Sequence, residues 1–230
     1  MRIGVIGCGG FVGSALCGFI AKTDNELIGI NKKNYNDFIN SEFDILINSA
    51  TPSKRYWALN NPLADFKATV GLTAEIVYNW RYKKLVQIST VSAKLQLNHP
   101  YGIHKHLAEQ LVLNSNQNNL VIRLGNLFGE GLNKGIIYDI IKGNPLFVSG
   151  DSRYSFIDVE KAAEIIFSKL TKNGIENVNS RNTISLKEIT DELGLNIKFG
   201  DGYECHPEFA DNDYPDATEV FQYIRNNLNK

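Results

Sequence analysis

Residues 1–20 read MRIGVIGCGGFVGSALCGFI. An apolar run, Ile3–Ile6, ends at Gly7, and a helical pattern, Phe11–Lys22, begins shortly after it. Between and within them glycines fall at positions 7, 10 and 13, a GxxGxxG pattern. Glycine lets the backbone turn sharply and lets it approach a pyrophosphate with no Cβ in the way. The helix that follows turns its N–H groups and the positive end of its dipole toward the same anion. A glycine pattern alone is weak. Here it follows a strand and opens a helix, the context a dinucleotide-binding turn requires. The bland alternative is a tight strand-to-helix turn with no ligand. The pattern assigns Gly7, Gly10, Phe11, Val12 and Gly13 to a cofactor.

Further apolar runs follow at Glu26–Ile30, Asp44–Asn48, Lys84–Ile88 and Leu120–Leu124. Helical stretches lie between them, at about Pro62–Tyr82 and Tyr101–Asn114. Short, continuously apolar strands alternating with helices predict an α/β fold, a Rossmann-type doubly wound parallel sheet. Beyond Gly125 glycines and Pro145 loosen the pattern. Helices are expected at about Val159–Leu170, Ser185–Leu193 and Ala217–Asn227, a strand near Glu176–Asn179, and an acidic, turn-rich tail over Gly200–Asp216. The expected division is a dinucleotide-binding core over 1–125 and a small substrate lobe over 126–230, interleaved with the last strands of the core.

The formal net charge of -1 gives no reason to expect nucleic acid or an anionic membrane as partner. No apolar run approaches the roughly 20 residues of a membrane span, and the glycine-broken N-terminus does not read as a signal peptide. Cys8, Cys17 and Cys205 have no metal-ligand spacing, and their sparse, odd count predicts reduced thiols in the cytoplasm.

The end of the second strand chooses between nicotinamide cofactors, because an acid there holds a ribose 2′-hydroxyl and a base accommodates a 2′-phosphate. Here Asn31, Lys32 and Lys33 follow Ile30. Two lysines and no acid favour NADP(H), with NAD(H) as the alternative. Only Tyr35–Phe43 separates this point from the next strand, which leaves no room for a helix and a further strand, so the adenine pocket is expected to be abbreviated.

The stretch QISTVSAKLQLNHPYGIHK, residues 87–105, joins a strand end to a helix start. A carbonyl that takes up hydride needs a proton donor at its oxygen. Tyrosine, with a pKa of about 10, needs a nearby ammonium to release its proton easily. Tyr101 and Lys105 are four apart, one turn on a single helix face. Thr90 sits at a strand's C-terminal end, where open α/β sheets bind ligands. It is read as the hydroxyl that holds the reacting oxygen. Ser92 is a second hydroxyl, and Ser89 should point to the other side of the strand.

These motifs together resemble the short-chain dehydrogenase/reductases, extended branch, the nucleotide-sugar epimerase/dehydratase/reductase group. GCGGFVG is similar to the family's cofactor loop. DILINSA resembles its third strand and implies that Ala50 lies near the cofactor. NPLADFKATVGLTAEIV, YGIHKHLAEQLV, VIRLGNLFGEG and SFIDVEKAAEII resemble four further family segments. The resemblance implies Tyr101 as acid/base, Lys105 as the group that lowers its pKa and binds the nicotinamide ribose, Thr90 as the orienting hydroxyl, and Asn126 as a substrate contact. Arg153 is offset by one residue from a substrate-phosphate arginine of the family.

Departures narrow the implied chemistry. The Asp-Glu that dehydratases carry after the catalytic Thr is replaced by Val91-Ser92, which argues against dehydration. The Cys and His of 3,5-epimerase/reductases are replaced by Ser92 and Gly131. What remains is 4-keto reduction of a nucleotide sugar, as in the capsular-polysaccharide and dTDP-4-dehydrorhamnose reductases, or 4-epimerisation with retained NAD. A non-catalytic dinucleotide-binding protein is the third class, and the Thr–Tyr–Lys set argues against it. The family often forms homodimers through helices that here would include Pro62–Tyr82 and Tyr101–Asn114. His99, His104, His106 and His206 are expected at the surface, and no metal is expected. Lys54 and Arg55 are read first as solvated or packing residues and second as substrate-phosphate contacts.

Overall fold

The structure, a computed structural model, describes residues 1–206 and 213–228. The strands are β1 (Arg2–Ile6), β2 (Glu26–Ile30), β3 (Glu42–Asn48), β4 (Arg81–Thr90), β5 (Leu120–Leu124), β6 (Asn126–Phe128), β7 (Arg153–Tyr154), β8 (Phe156–Asp158), β9 (Gly174–Val178) and β10 (Ile184–Ser185). The helices are α1 (Phe11–Ile20), α2 (Tyr35–Phe38), α3 (Arg55–Asn60), α4 (Pro62–Phe66), α5 (Leu72–Asn79), α6 (Ser92–Leu95), α7 (Pro100–Ser115), α8 (Ile136–Ile141), α9 (Val159–Ser168), α10 (Leu186–Leu193) and α11 (Glu219–Arg225). A π-helical turn, Lys67–Gly71, joins α4 to α5.

The chain forms two compact units, 1–124 with 163–178, and 125–162 with 179–230. The first holds a six-stranded, all-parallel sheet in the order β2-β1-β3-β4-β5-β9. Its strands are apolar on both faces, and Ile3, Val5, Leu46, Ile47, Leu85, Val86, Val121 and Ile122 are buried. This is the doubly wound architecture that the strand pattern predicts. After β1 the chain goes to β2 on one side, then crosses to β3 on the other. Strand order therefore reverses at β1, and ligands of such sheets bind at the C-terminal ends beside that point. Between β2 and β3 the chain makes only the single turn of α2, and among the described residues β2 is the edge of the sheet.

The long helix expected over Pro62–Tyr82 is instead α4, the π turn and α5, and it stops at Asn79. Trp80 is buried against Tyr35, with ring centroids 4.9 Å apart. Its backbone is already extended, so β4 begins at Arg81.

Helix α7 is fixed to the sheet by buried polar groups. Glu109 is fully buried and accepts from Ser89 Oγ of β4 at 2.5 Å. It also accepts from Arg123 of β5, at 2.5 Å from Nη2 and 3.0 Å from Nε. Asn119 links the far end, since its Oδ1 accepts from Leu85 N and its Nδ2 donates to Val112 O.

The second unit packs Phe128, Ile137, Ile140, Tyr154, Phe156, Leu186, Ile189, Val220 and Ile224 into its own core. It pairs β6 with β8 and β7 with β10. A capping box between Ser185 and Glu188 starts α10, and Gly194, at φ 63°, ends it. Part of the expected acidic tail, residues 207–212, lies outside the described residues.

Glu109→Ala leaves the Arg123 guanidinium without its carboxylate inside the first unit. Unfolding in urea should show a loss of about 3–5 kcal/mol, the usual result of breaking a buried ion pair from one side.

Candidate active site

The glycine loop is built for close approach. Gly7, at φ 86°, begins the turn out of β1. Its N–H and that of Cys8 donate to Ile30 O at 2.8 and 3.2 Å, tying the loop to the end of β2. A Cβ on Gly7 would meet the backbone of Ala50 at 2.9 Å, and one on Gly13 would lie 2.0 Å from Gly7 O. Gly10 is the N-cap of α1, and no side chain caps this helix. Its first turn, begun by Phe11 and Val12, holds no acid. A helix start with neither a capping side chain nor an anion of its own fits the pyrophosphate of a dinucleotide.

Beyond β2, Asn34 Oδ1 accepts from Asn31 N at 2.7 Å, and Asn31 Oδ1 accepts from Lys33 N at 2.8 Å. These side-chain turns leave Asn31, Lys32 and Lys33 exposed past the strand end. Ala50 is exposed just after β3.

The Thr–Tyr–Lys set is assembled within the first unit. Pro100 and Tyr101 open α7, and His99 caps it, its Nδ1 accepting from Tyr101 N at 3.2 Å. Tyr101 is 6% exposed, and its phenol is hydrogen-bonded to the Thr90 hydroxyl. Thr90 Oγ1 also accepts from Ser92 N at 3.2 Å, which fixes it at the strand end. Lys105 is buried, with Nζ 5.5 Å from the centre of the Tyr101 ring. Gly102 permits this meeting. A Cβ there would sit 2.1 Å from Gln96 O and 2.8 Å from Ser92 O, so only glycine lets α7 close on α6. Ser89 points away to Glu109. Ser92 is buried at the start of α6.

Burial pushes the Tyr101 phenol up to about 12, opposed by its bond to Thr90; Asp65 adds to the rise and Arg55 of α3 counters it. Removing the phenolate from water outweighs the Thr90 bond and the Arg55 charge, so the phenol holds its proton.

Two polar residues here escaped the sequence reading. Thr51 follows Ala50, and its Oγ1 accepts from Lys105 Nζ at 2.5 Å. Its position directly after the third-strand motif was the only signal. Asp65, fully buried, lies 2.7 Å from His104 Nδ1. His104 is therefore buried in a pair with Asp65, not at the surface as expected. The reason is its place on the inward face of α7, between Tyr101 and Lys105.

In the second unit, Asn126 begins β6, and its N–H donates to Ser155 O at 3.2 Å. Its Nδ2 is buried without a hydrogen-bond partner among the described residues. The Arg153 guanidinium donates to Thr183 O at 2.7 Å and to Glu188 Oε2 at 3.0 Å. Among the described residues no cluster of His, Cys, Asp and Glu could hold a metal, and no helix is long and apolar enough to cross a membrane.

The sequence pattern of the NAD dependent epimerase/dehydratase family matches residues 3–179. The chain belongs to this family. Its members are nicotinamide-dinucleotide enzymes. Solved structures share the fold at low identity. MoeE5 in complex with UDP-glucose and NAD has a TM-score of 0.81 and 15% identity, covering 100% of this chain and 98% of that one. RMD from Pseudomonas aeruginosa complexed with NADPH has a TM-score of 0.77 and 18% identity, covering 100% and 99%. A dTDP-4-dehydrorhamnose reductase from Bacillus anthracis str. Ames in complex with NADP has a TM-score of 0.78 and 16% identity, covering 97% of each chain. Comparison with curated proteins finds no match.

Gly13→Ala should weaken NADPH binding at least tenfold in a fluorescence titration, because its Cβ would overlap Gly7 O. Gly102→Ala, which forces α7 off α6, should instead spare cofactor affinity more than turnover.

Proposed function

We propose that the chain is an NADP(H)-dependent reductase acting on the 4-keto group of a nucleotide-activated sugar, in the cytoplasm, for surface polysaccharide or deoxysugar synthesis. The observation that carries this reading is the assembly of the buried Tyr101, bonded to Thr90, with Lys105 Nζ 5.5 Å from its ring. Reduction asks the phenol to give a proton first. A 4-epimerase must first take one, with the same group as base. Lys32 and Lys33, exposed past the end of β2 with no acid among residues 31–33, support a 2′-phosphate and so NADP(H) over NAD(H).

The cofactor, when bound, supplies the hydride. Its pyrophosphate is assigned to Gly7, Gly10 and the start of α1, and its nicotinamide ribose to Lys105, with Ala50 beside it. Thr90 donates a hydrogen bond to the substrate carbonyl oxygen. As the carbonyl carbon becomes tetrahedral, that oxygen takes the proton from Tyr101 Oη. Lys105, held in place by Thr51, stabilises the phenolate left behind. Thr51 suits this task because a hydroxyl partners the ammonium without cancelling its charge. Ser92 and Asn126 are assigned to the sugar nucleotide, Asn126 on the strength of its unpartnered buried amide.

A second copy of the chain is proposed to cover the apolar face of α3, α4, α5 and α7. Tyr56, Leu59, Leu63, Phe66, Tyr78 and Leu107 are exposed there. A groove of about 510 Å³ runs between Phe66, Val70, Leu107 and Leu111. Leu63→Glu with Phe66→Glu should convert a dimer to a monomer in light scattering.

Tyr101→Phe should lower NADPH oxidation by a 4-keto sugar nucleotide about 10²–10⁴-fold, the worth of a lost general acid. Retention of a tenth of the turnover overturns the mechanism. NAD that stays bound through gel filtration and appears only on denaturation overturns the reductase in favour of the epimerase.

A further inference from the structure

Ser155, the residue between β7 and β8, is the centre of a polar cluster inside the second unit. Its Oγ lies 3.5 Å from Asn179 Oδ1 and 3.3 Å from His206 Nδ1. A hydroxyl has one proton to give, so donation to the Asn179 carbonyl leaves Ser155 accepting from the imidazole. The Ser155 carbonyl accepts from Asn126 N at 3.2 Å. Gly125 closes the cluster, since a Cβ there would lie 2.3 Å from Asn179 Oδ1 and 2.4 Å from Ser155 Oγ. The Asn179 amide therefore rests on the backbone directly before Asn126. Asn179 is fully buried. Its Nδ2 has no hydrogen-bond partner among the described residues, and neither has the buried Nδ2 of Asn126. A buried donor left unmet is costly, and folded chains hold few of them. Two in one cluster call for an acceptor from outside the chain.

We propose that Asn179 joins Asn126 in a subsite that reads the sugar, the two side-chain amides donating to hydroxyl or carbonyl oxygens on the hexose. This rests on the reading of the substrate as a nucleotide sugar. Asn179 is then a specificity-determining residue, with Ser155 holding its amide in place. The cluster has a buried end, Asn179 and Ser155, and a half-buried end, Asn126 and His206, as a pocket for one part of a larger ligand requires. Its chemistry favours a neutral oxygen over a phosphate. The donors are uncharged amides. The His206 ring stands edge-on to the Tyr154 ring, with centroids 4.9 Å apart, and the Tyr154 phenol donates to Glu204 Oε2 at 2.8 Å. A carboxylate so placed opposes an anion. Sugar oxygens meet no such opposition, and each accepts an N–H. Hydrogen bonds in series also strengthen one another. Donation from Ser155 to Oδ1 thus makes Asn179 Nδ2 the better donor.

The test is binding to the full chain, with NADPH present, by isothermal titration calorimetry. UDP-glucose is compared with UDP, and dTDP-glucose with dTDP. Glucose so linked offers no ketone, so no hydride is consumed. The parent should bind the glucose nucleotide of at least one pair more tightly than the diphosphate, and the variants are measured with that pair. Asn179→Asp puts an oxygen in the place of Nδ2 and keeps the carbonyl that Ser155 meets. It should weaken the glucose nucleotide about tenfold or more and leave the diphosphate within about twofold, the pattern of one lost hydrogen bond to the sugar. Asn179→Ser removes the NH2 donor with a smaller polar group. It carries the same expectation and replaces Asn179→Asp if that variant does not fold. Equal weakening of both ligands overturns the proposal, because the diphosphate has no sugar. Unchanged binding overturns it too, and is the result expected if a trapped water meets Nδ2. A parent that binds neither glucose nucleotide better than its diphosphate also overturns it. Binding involves no hydride transfer, so the outcome is separate from that of the Tyr101→Phe turnover test.

Discussion

Glu109 is the group on which the arrangement of the first unit depends. One buried carboxylate takes a hydroxyl from β4 and a guanidinium from β5. It thereby fixes the angle and height of α7 over two neighbouring strands. Tyr101 lies two turns earlier on the same helix, so its position relative to the end of β4 follows from that anchor. Asn119 does the same at the other end of the helix. A helix held only by apolar contacts can slide or roll by fractions of an ångström. One held by a buried, directional ion pair cannot do so without leaving a charge unmet.

Close backbone approach is the second constraint. Gly13 on Gly7 and Gly102 on Gln96 are contacts that a single methyl group would break. The first opens a space at the start of α1 for an anion. The second brings α7 onto α6, and so brings the phenol to Thr90. Both glycines sit where chemistry needs backbone, not side chain, at short range.

Burial then decides what kind of group Tyr101 is. Burial makes the phenolate costly, and the Thr90 bond and the Arg55 charge offset that cost only in part. Thr90 and Lys105 act on a group already biased toward holding its proton. Asp65 raises the phenol a little further, and Arg55 counters it.

Much of this was legible in the sequence, for physical reasons that differ from part to part. Strands buried on both faces read as unbroken apolar runs, so the parallel sheet showed in the periodicity. The glycines at 7, 10 and 13 and the helical spacing of Tyr101 and Lys105 are local relations, fixed by a few residues of backbone. The single turn between β2 and β3 was legible as a simple shortage of residues. The partners of buried polar groups were not. Thr51 meets Lys105 across 54 residues of chain, and Asp65 meets His104 across 39. No spacing rule links such pairs. For the same reason His104 read as a surface residue, since the pattern of α7 alone did not reveal that α4 would cover it. The π turn was equally hidden, because the apolar pattern of residues 62–82 is that of one continuous helix. The sequence by itself determined the sheet, the glycine turn after β1 and the helical spacing of Tyr101 and Lys105, because these depend on neighbours along the chain. Only the tertiary structure decided the electrostatic state of Tyr101, because that depends on which distant side chains remove it from water and which charges they bring with them.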